Sequence, residues 1–302
     1  MIHALRLLRL PNLFVMMATV CVIQIYLQEA SADKLQFSLP LAISIGLIIS
    51  MIAGAGYTHN DLKDQDADQV NNPEAKMIGQ HVSELTASNI VKGLLVVAVI
   101  LAVGTCIIYQ LIWPIPVALI VLIALYAYNQ YGQGLPLLGN LVIASLCAYI
   151  VWLPVQVAKS LGDLERIDSS SLDWIICYVG LAFSVTLYRE IIKDLEDLPG
   201  DRSIGQRTLP IVIGDGAARI VAGILLAIVI VSVIYLVSIL LRSGHGLHAM
   251  YIICFVIVPL GIAWIYGWRA RAAFEYAKAS MWTKHAMFMA LLFLLLLSRL
   301  PL

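Results

Sequence analysis

Windows of about twenty consecutive apolar residues recur along the whole chain, and a run of that length is what an α-helix needs to cross a bilayer. They fall near 11–28, 37–58, 88–108, 112–129, 136–157, 174–193, 216–241, 247–267 and 281–300, which predicts nine transmembrane helices. Lipid offers no water to satisfy backbone N–H and C=O groups, so such segments close their hydrogen bonds internally as helices. The expected fold class is an all-α integral membrane protein. Residues 1–302 read as a single polytopic domain, because no connection is long enough to tether a soluble unit.

Composition agrees. Hydrophobic residues make up 61% of the chain, charged residues only 13%, and the mean hydropathy is +0.90, all outside the soluble range. A net charge of zero and the lack of any basic tract leave no case for a nucleic-acid partner. Arg6 and Arg9 lead into the first apolar run without a small-residue cleavage site, which predicts a first membrane helix rather than a removable signal. The five cysteines lie inside apolar runs and are expected as small core residues, not as disulfides or thiolate ligands.

Charge is concentrated in connections. Two are long and polar, 59–87 and 194–212, and both carry aspartate clusters; a third, 158–173, is acidic and Ser-rich and is expected as a solvated loop. Fourteen of the 19 Lys and Arg fall on the side of the N-terminus, which predicts a cytoplasmic N-terminus and cytoplasmic aspartate clusters in a multi-pass cell-membrane protein.

The clusters are copies. Asp61-Leu62-Lys63-Asp64-Gln65-Asp66-Ala67-Asp68 overlays Asp194-Leu195-Glu196-Asp197-Leu198-Pro199-Gly200-Asp201 at a constant offset of 133 residues, with the shared pattern DLxDxxxD. Four spans separate equivalent points, so the copies point the same way through the bilayer. The expected architecture is two pseudo-repeated four-helix halves plus a ninth helix around a central cavity.

The spacing has a chemical meaning. Steps of three and four residues return to one helix face, so Asp61, Asp64 and Asp68 are expected on one stripe, with Asp66 pointing elsewhere. Three like charges on one stripe repel, and hard carboxylate oxygens shared with a phosphate are what Mg²⁺ prefers. Asp194, Asp197 and Asp201 supply a second side, with Pro199-Gly200 expected to break the helix so that Asp201 reaches in from a turn. A lone cluster of this kind is as often a solvated loop. Two in the same register at helix ends favour a site. Arg189, Lys193, Arg202 and Arg207 around the second cluster serve as positive-inside anchors or as cations for a diphosphate. His245 and His248 are expected in a solvated turn, and Gly54 and Gly56 at close helix contacts.

Asn60-Asp61-x-x-Asp64-x-x-x-Asp68 followed by Asn72-Pro73, and Arg189-Glu190-Ile191-Ile192-Lys193-Asp194-Leu195-Glu196-Asp197-x-x-Gly200-Asp201-Arg202 followed by Gly205-x-x-Thr208-Leu209-Pro210, resemble the two signature motifs of the UbiA superfamily of intramembrane prenyltransferases. Arg9-Leu10-Pro11-Asn12, Leu137-Leu138-Gly139-Asn140 and Ala279-Ser280 with Lys284 extend the resemblance over nearly the whole chain. The REIIKDLED run is similar to the geranylgeranylglycerol-phosphate geranylgeranyltransferase branch. The GDRxxGxxTLP portion is shared with chlorophyll synthase and homogentisate prenyltransferase relatives.

The resemblance implies Mg²⁺-dependent transfer of an isoprenyl group from an allylic isoprenyl diphosphate to a lipophilic acceptor, here the hydroxyl of geranylgeranylglyceryl phosphate, with an aromatic or quinone-precursor acceptor as the alternative. It implies Asp61, Asp64, Asp68, Asp194, Asp197 and Asp201 as metal ligands. Asn60, Lys76, Tyr128, Arg189, Lys193 and Arg202 are implied as substrate-binding residues, with Lys193 and Arg202 stabilising the leaving group. One departure stands out: where many relatives carry a lysine before the fifth span, this chain has Gln133. A cation transporter with an acidic vestibule is the competing class; paired carboxylate stripes interleaved with basic residues speak for the enzyme.

Overall fold

A computed structural model of the chain describes residues 6–71, 77–111, 118–119, 121–123 and 135–299. Among these residues there is no strand, only two isolated bridges, Ser31 with Ile167 and Ile78 with Val82. The helices are α1 (Leu10–Glu29), α2 (Leu39–Lys63), short α3 (Gln65–Asn71), α4 (Glu84–Tyr109), α5 (Leu138–Ser160), α6 (Ser169–Glu196), short α7 (Leu198–Ser203) and α8 (Leu209–Ile213), then α9 (Asp215–Arg242), α10 (Gly246–Arg269) and α11 (Ala273–Arg299). Eight of them are long and apolar enough to cross a membrane. The expected span at 112–129 lies mostly outside the described residues.

Helix ends depart from the hydropathy windows for physical reasons. The last helix begins at Ala273 and not near 281, because Glu275 and Lys278 continue the helix beyond its apolar part. Asp168 starts α6 as its N-cap, accepting the Ser171 N–H at 2.8 Å. Burial would raise its carboxyl, but hydrogen bonds from Ser170 and Ser171 outweigh that and hold it below the usual range. The 158–173 connection is thus more ordered than a solvated loop: Asp163 is fully buried and accepts the Phe37 N–H at 2.7 Å, latching two loops together.

The internal repeat is visible in element positions. Shifted by 133 residues, α2 and α3 fall on 172–196 and 198–204, where α6 and α7 lie, and α4 falls on 217–242, where α9 lies. Helix α1 packs on α2, α5 and α11, while α6 packs on α5, α9 and α11, so the last helix bridges the two halves. Aromatic side chains bond backbone carbonyls across helices, Tyr188 to Ala263 at 3.0 Å and Trp264 to Gly223 at 2.9 Å, giving polar tips a partner where water is absent. A Cβ on Gly54 would meet Leu13 and Leu94 at ordinary contact distances of 3.4 and 3.5 Å, whereas one on Gly46 would stand 2.9 Å from Met17, so the glycine that lets α2 approach α1 closely is Gly46.

Outward faces are apolar. Ile100, Ile107 and Ile108 on α4 and Ile224, Ile228 and Val231 on α9 are all exposed, a surface that fits lipid and not water. Two expectations are corrected here. Cys177 on α6 and Cys254 on α10 are exposed, and of the five cysteines only Cys106 is buried; apolar environment alone does not separate core from lipid. His248 is buried with its ring edge-on to Phe293, part of the packing rather than a solvated turn.

Candidate active site

At about 1.5 Å per residue, α2 and α6, of 25 and 28 residues, run roughly 38 and 42 Å. That exceeds the hydrocarbon core of about 30 Å, so their last turns emerge from it. Those turns carry Asp61 and Asp194. Asp64 and Asp197 occupy the C-caps of the two helices, with backbone angles of −88°, 12° and −88°, 0°. Carboxylates at the negative end of a helix dipole are unfavourable without a cation, and the chain places two there.

The expected unbroken stripe is therefore interrupted at Asp64, where α2 ends and α3 begins. Backbone bonds from Asp64 N–H to Asn60 and from Asp68 N–H to Asp64 carry four-residue spacing through the joint at 2.9 and 2.8 Å. The second copy repeats this: Asp197 N–H donates to Lys193 at 2.9 Å and Asp201 N–H to Asp197 at 3.1 Å. The break expected at Pro199-Gly200 lies instead at Asp197. Pro199 sits in the first turn of α7, where a missing N–H breaks no helical bond, so Asp201 is presented from a helix and not from a turn.

All six aspartates line one polar cavity of about 360 Å³, together with Arg6, Arg9, Asn60, Asn140 and Lys193. Asp66 is exposed and absent from it. Arg9 donates to Asp61 at 2.8 Å and lies over the Tyr57 ring at 5.0 Å, reaching both from a left-handed backbone at φ 51°. Asn60 donates to Asp64, and Asn140 on α5 donates to Asp194 at 2.8 Å. Beneath this basin an apolar chamber of about 220 Å³ runs between α1, α2, α4 and α5, past Tyr57, Ala53, Ile49 and Leu153. Arg9, Asn60, Glu190 and Lys193 line both cavities and form the junction between them.

The basin holds more negative charge than its cations balance. Burial, then repulsion from Asp61, Asp64 and Asp197, pushes the Asp68 carboxyl up to about 6. Burial, then Asp197, raises Asp201 to about 7. Asp197 is raised chiefly by burial, with Lys193 and Arg9 opposing. Among the described residues no three His, Cys, Asp or Glu side chains already form a metal-ligand cluster. The carboxylates face one another across a space, which suits Mg²⁺ ions that take part of their oxygen shell from water and phosphate. Donor type and charge excess fit that ion.

Other expected residues are placed differently. Lys193 is at the junction, whereas Arg189 lines only the chamber and pairs with Glu190 at 2.6 Å. Arg202 is exposed on α7 and lines neither cavity, because the short helix that buries Asp201 turns the next residue outward. Lys76, Tyr128 and Gln133 lie outside the described residues. Sequence reasoning gave no role to Arg9, Asn140 or Glu190, although each stands inside a quoted motif; Asn71, which also lines the basin, carried no signal at all.

Apolar helices long enough to cross a membrane, gathered around an acidic basin that opens onto an apolar chamber, define a membrane protein with a polar site at the mouth of an apolar cavity. The chain belongs to the UbiA prenyltransferase family, whose match spans residues 16–295. It is 35% identical over 198 residues to digeranylgeranylglyceryl phosphate synthase of Natronomonas pharaonis, a match covering 65% of each chain and so just under two thirds of that relative. It is 31% identical over 257 residues to the synthase of that name from Methanospirillum hungatei, covering 82% of this chain and 83% of the relative. A UbiA homolog from Archaeoglobus fulgidus bound to DMAPP and Mg²⁺ shares the fold at 14% identity, with a TM-score of 0.58 over 95% of this chain and 98% of that one.

Proposed function

We propose that the protein transfers an isoprenyl group from an allylic isoprenyl diphosphate to the free hydroxyl of geranylgeranylglyceryl phosphate, forming an ether lipid precursor. The observation that carries this reading is the stacking of a six-aspartate basin on an apolar chamber through a junction holding Lys193 and Arg9. The names of the similar relatives support the acceptor. In the full architecture nine helices enclose the cavity, and the basin opens to the cytoplasm at the cell membrane.

The isoprenyl tail enters the chamber, where burial of each CH₂ contributes about 0.8 kcal/mol. Between Ile143 and Leu153, both lining the chamber, α5 rises about 15 Å, room for several isoprene units of an extended tail. The diphosphate then lies in the basin and the allylic carbon at the junction. Asp61, Asp64, Asp68, Asp194, Asp197 and Asp201 would hold Mg²⁺, which when bound supplies neutralising charge to the diphosphate as it leaves. Lys193 and Arg9 add fixed positive charge on the same leaving group, and Arg9 is itself oriented by Asp61. The apolar walls keep water from quenching the cationic carbon before the acceptor oxygen reaches it.

The test is a product screen with purified protein in lipid, offering dimethylallyl, geranyl, farnesyl and geranylgeranyl diphosphates with geranylgeranylglyceryl phosphate, hydroxybenzoate and naphthoate acceptors. Mass spectrometry should find the ether of a glyceryl phosphate. Prenylated aromatic products alone would assign the chain to the aromatic branch, and ion flux without any product would remove it from transferases.

A further inference from the structure

We infer that Glu190 takes the proton from the acceptor hydroxyl as the new ether bond forms. The inference rests on the transferase reading above and names a residue for a step that reading leaves open. The reacting carbon has to sit where the chamber meets the basin, because its tail is apolar and its leaving group is anionic. Four described residues line both cavities there: Arg9, Asn60, Glu190 and Lys193. Two carry cationic groups and one is a neutral amide, which leaves Glu190 as the carboxylate of the junction. The six aspartates line the basin and not the chamber, facing the leaving group rather than the incoming nucleophile.

Its setting suits the task. One turn before Asp194 on α6, Glu190 is held by Arg189, whose guanidinium donates to Oε1 at 2.6 Å. That contact fixes the side chain, which is 13% exposed and so shielded from bulk water. In the step itself the donor carbon–oxygen bond breaks and its electron pair leaves on the diphosphate. A lone pair of the acceptor oxygen forms the new carbon–oxygen bond, and the O–H proton passes to the Glu190 carboxylate. The products are ether and diphosphate, and Glu190 returns its proton to water in the basin.

The experiment uses the full-length protein in lipid with Mg²⁺, geranylgeranyl diphosphate and either the hydroxyl acceptor or its thiol analogue. Positioned bases contribute about 10²- to 10⁴-fold, so Glu190→Gln should lower kcat for ether formation at least about 100-fold. Donor KM should stay within about threefold, and Glu190→Asp should recover part of the rate. A thiol ionises near pH 8.5 without help, so thioether formation by Glu190→Gln should come within about tenfold of wild type. Ether formation by Glu190→Gln within about threefold of wild type would overturn the assignment, as would equal losses on hydroxyl and thiol acceptors, the mark of a merely structural role. Wild-type protein that makes no ether from any hydroxyl acceptor would overturn the transferase reading and this one with it.

Discussion

The backbone N–H of Gly200 donates to Oδ1 of Asn71 at 2.7 Å, tying the end of the first acidic motif to the middle of the second across 129 positions of chain. The contact closes α3 onto α7 and so sets the width of the basin between the two rows of aspartates. A Cβ on Gly200 would stand 2.7 Å from the Ala67 carbonyl oxygen, closer than packing allows.

Gly200→Ala should therefore spread the two rows. A local overpacking cost of about 1–3 kcal/mol is expected, with weaker Mg²⁺ binding and a turnover loss of about tenfold or more. Calorimetric titration of Mg²⁺ and diphosphate release measure the two effects separately.

Removing a carboxylate from each row tests the basin directly. Asp64→Ala and Asp197→Ala should each lower turnover by about 10²- to 10³-fold or more, the scale of losing a group that stabilises developing charge. Asp66→Ala, exposed and outside the cavity, should stay near wild type. Similar rates in all three variants would remove the aspartates from the mechanism.

Basic residues separate by position and not by motif. Arg9→Ala removes a junction cation paired with Asp61 at 2.8 Å and should cost at least about tenfold in kcat/KM. Arg202→Ala removes an exposed side chain and should cost less than about threefold. The opposite order in steady-state kinetics would return Arg202 to the site.

The raised carboxyls give a pH dependence with a definite sign. Asp68 near 6 and Asp201 near 7 ionise in the fold well above the ordinary 3.8. The unfolded chain loses these protons first, so metal-free stability falls as pH rises from about 4 through 7. Mg²⁺ binds the ionised forms, so its affinity should increase over pH 6 to 7 and its stabilising effect should be larger at pH 8 than at pH 5. Thermal unfolding with and without Mg²⁺ across that range reads both trends.

Chamber depth should govern the donor. Ala53→Phe adds a ring to the chamber wall and should lower kcat/KM for geranylgeranyl diphosphate by about tenfold while sparing dimethylallyl diphosphate. Competition between the two donors, with products weighed by mass, shows the shift.

Much of the bundle was legible because a bilayer imposes one length and one polarity on any crossing helix, and the eight apolar helices of the described residues coincide with hydropathy windows. Their ends were less so. Hydropathy registers lipid and not helix, so the polar turn from Ala273 to Ser280 carries no signal; the joint at Asp64 has no proline or glycine to mark it, and the joint at Asp197 precedes the Pro199-Gly200 pair that suggests a break. The aspartate spacing was legible because four-residue steps share a face in either a continuous or a jointed helix. Arg202 lies outside both cavities because neighbours in a motif share a region of sequence and not a direction in space.

Sequence by itself determined the membrane class and the repeated acidic signature, since each follows from local periodicity and transfer of side chains into lipid. Only the tertiary structure decided that both signatures line one basin, that Arg9 and Asn140 come from distant helices to bind its carboxylates, and that Glu190 stands at the junction with the chamber. The reason is physical: those relationships depend on how helices from two halves of the chain pack side by side, and a linear pattern carries the faces of each helix but not the neighbour each face will meet.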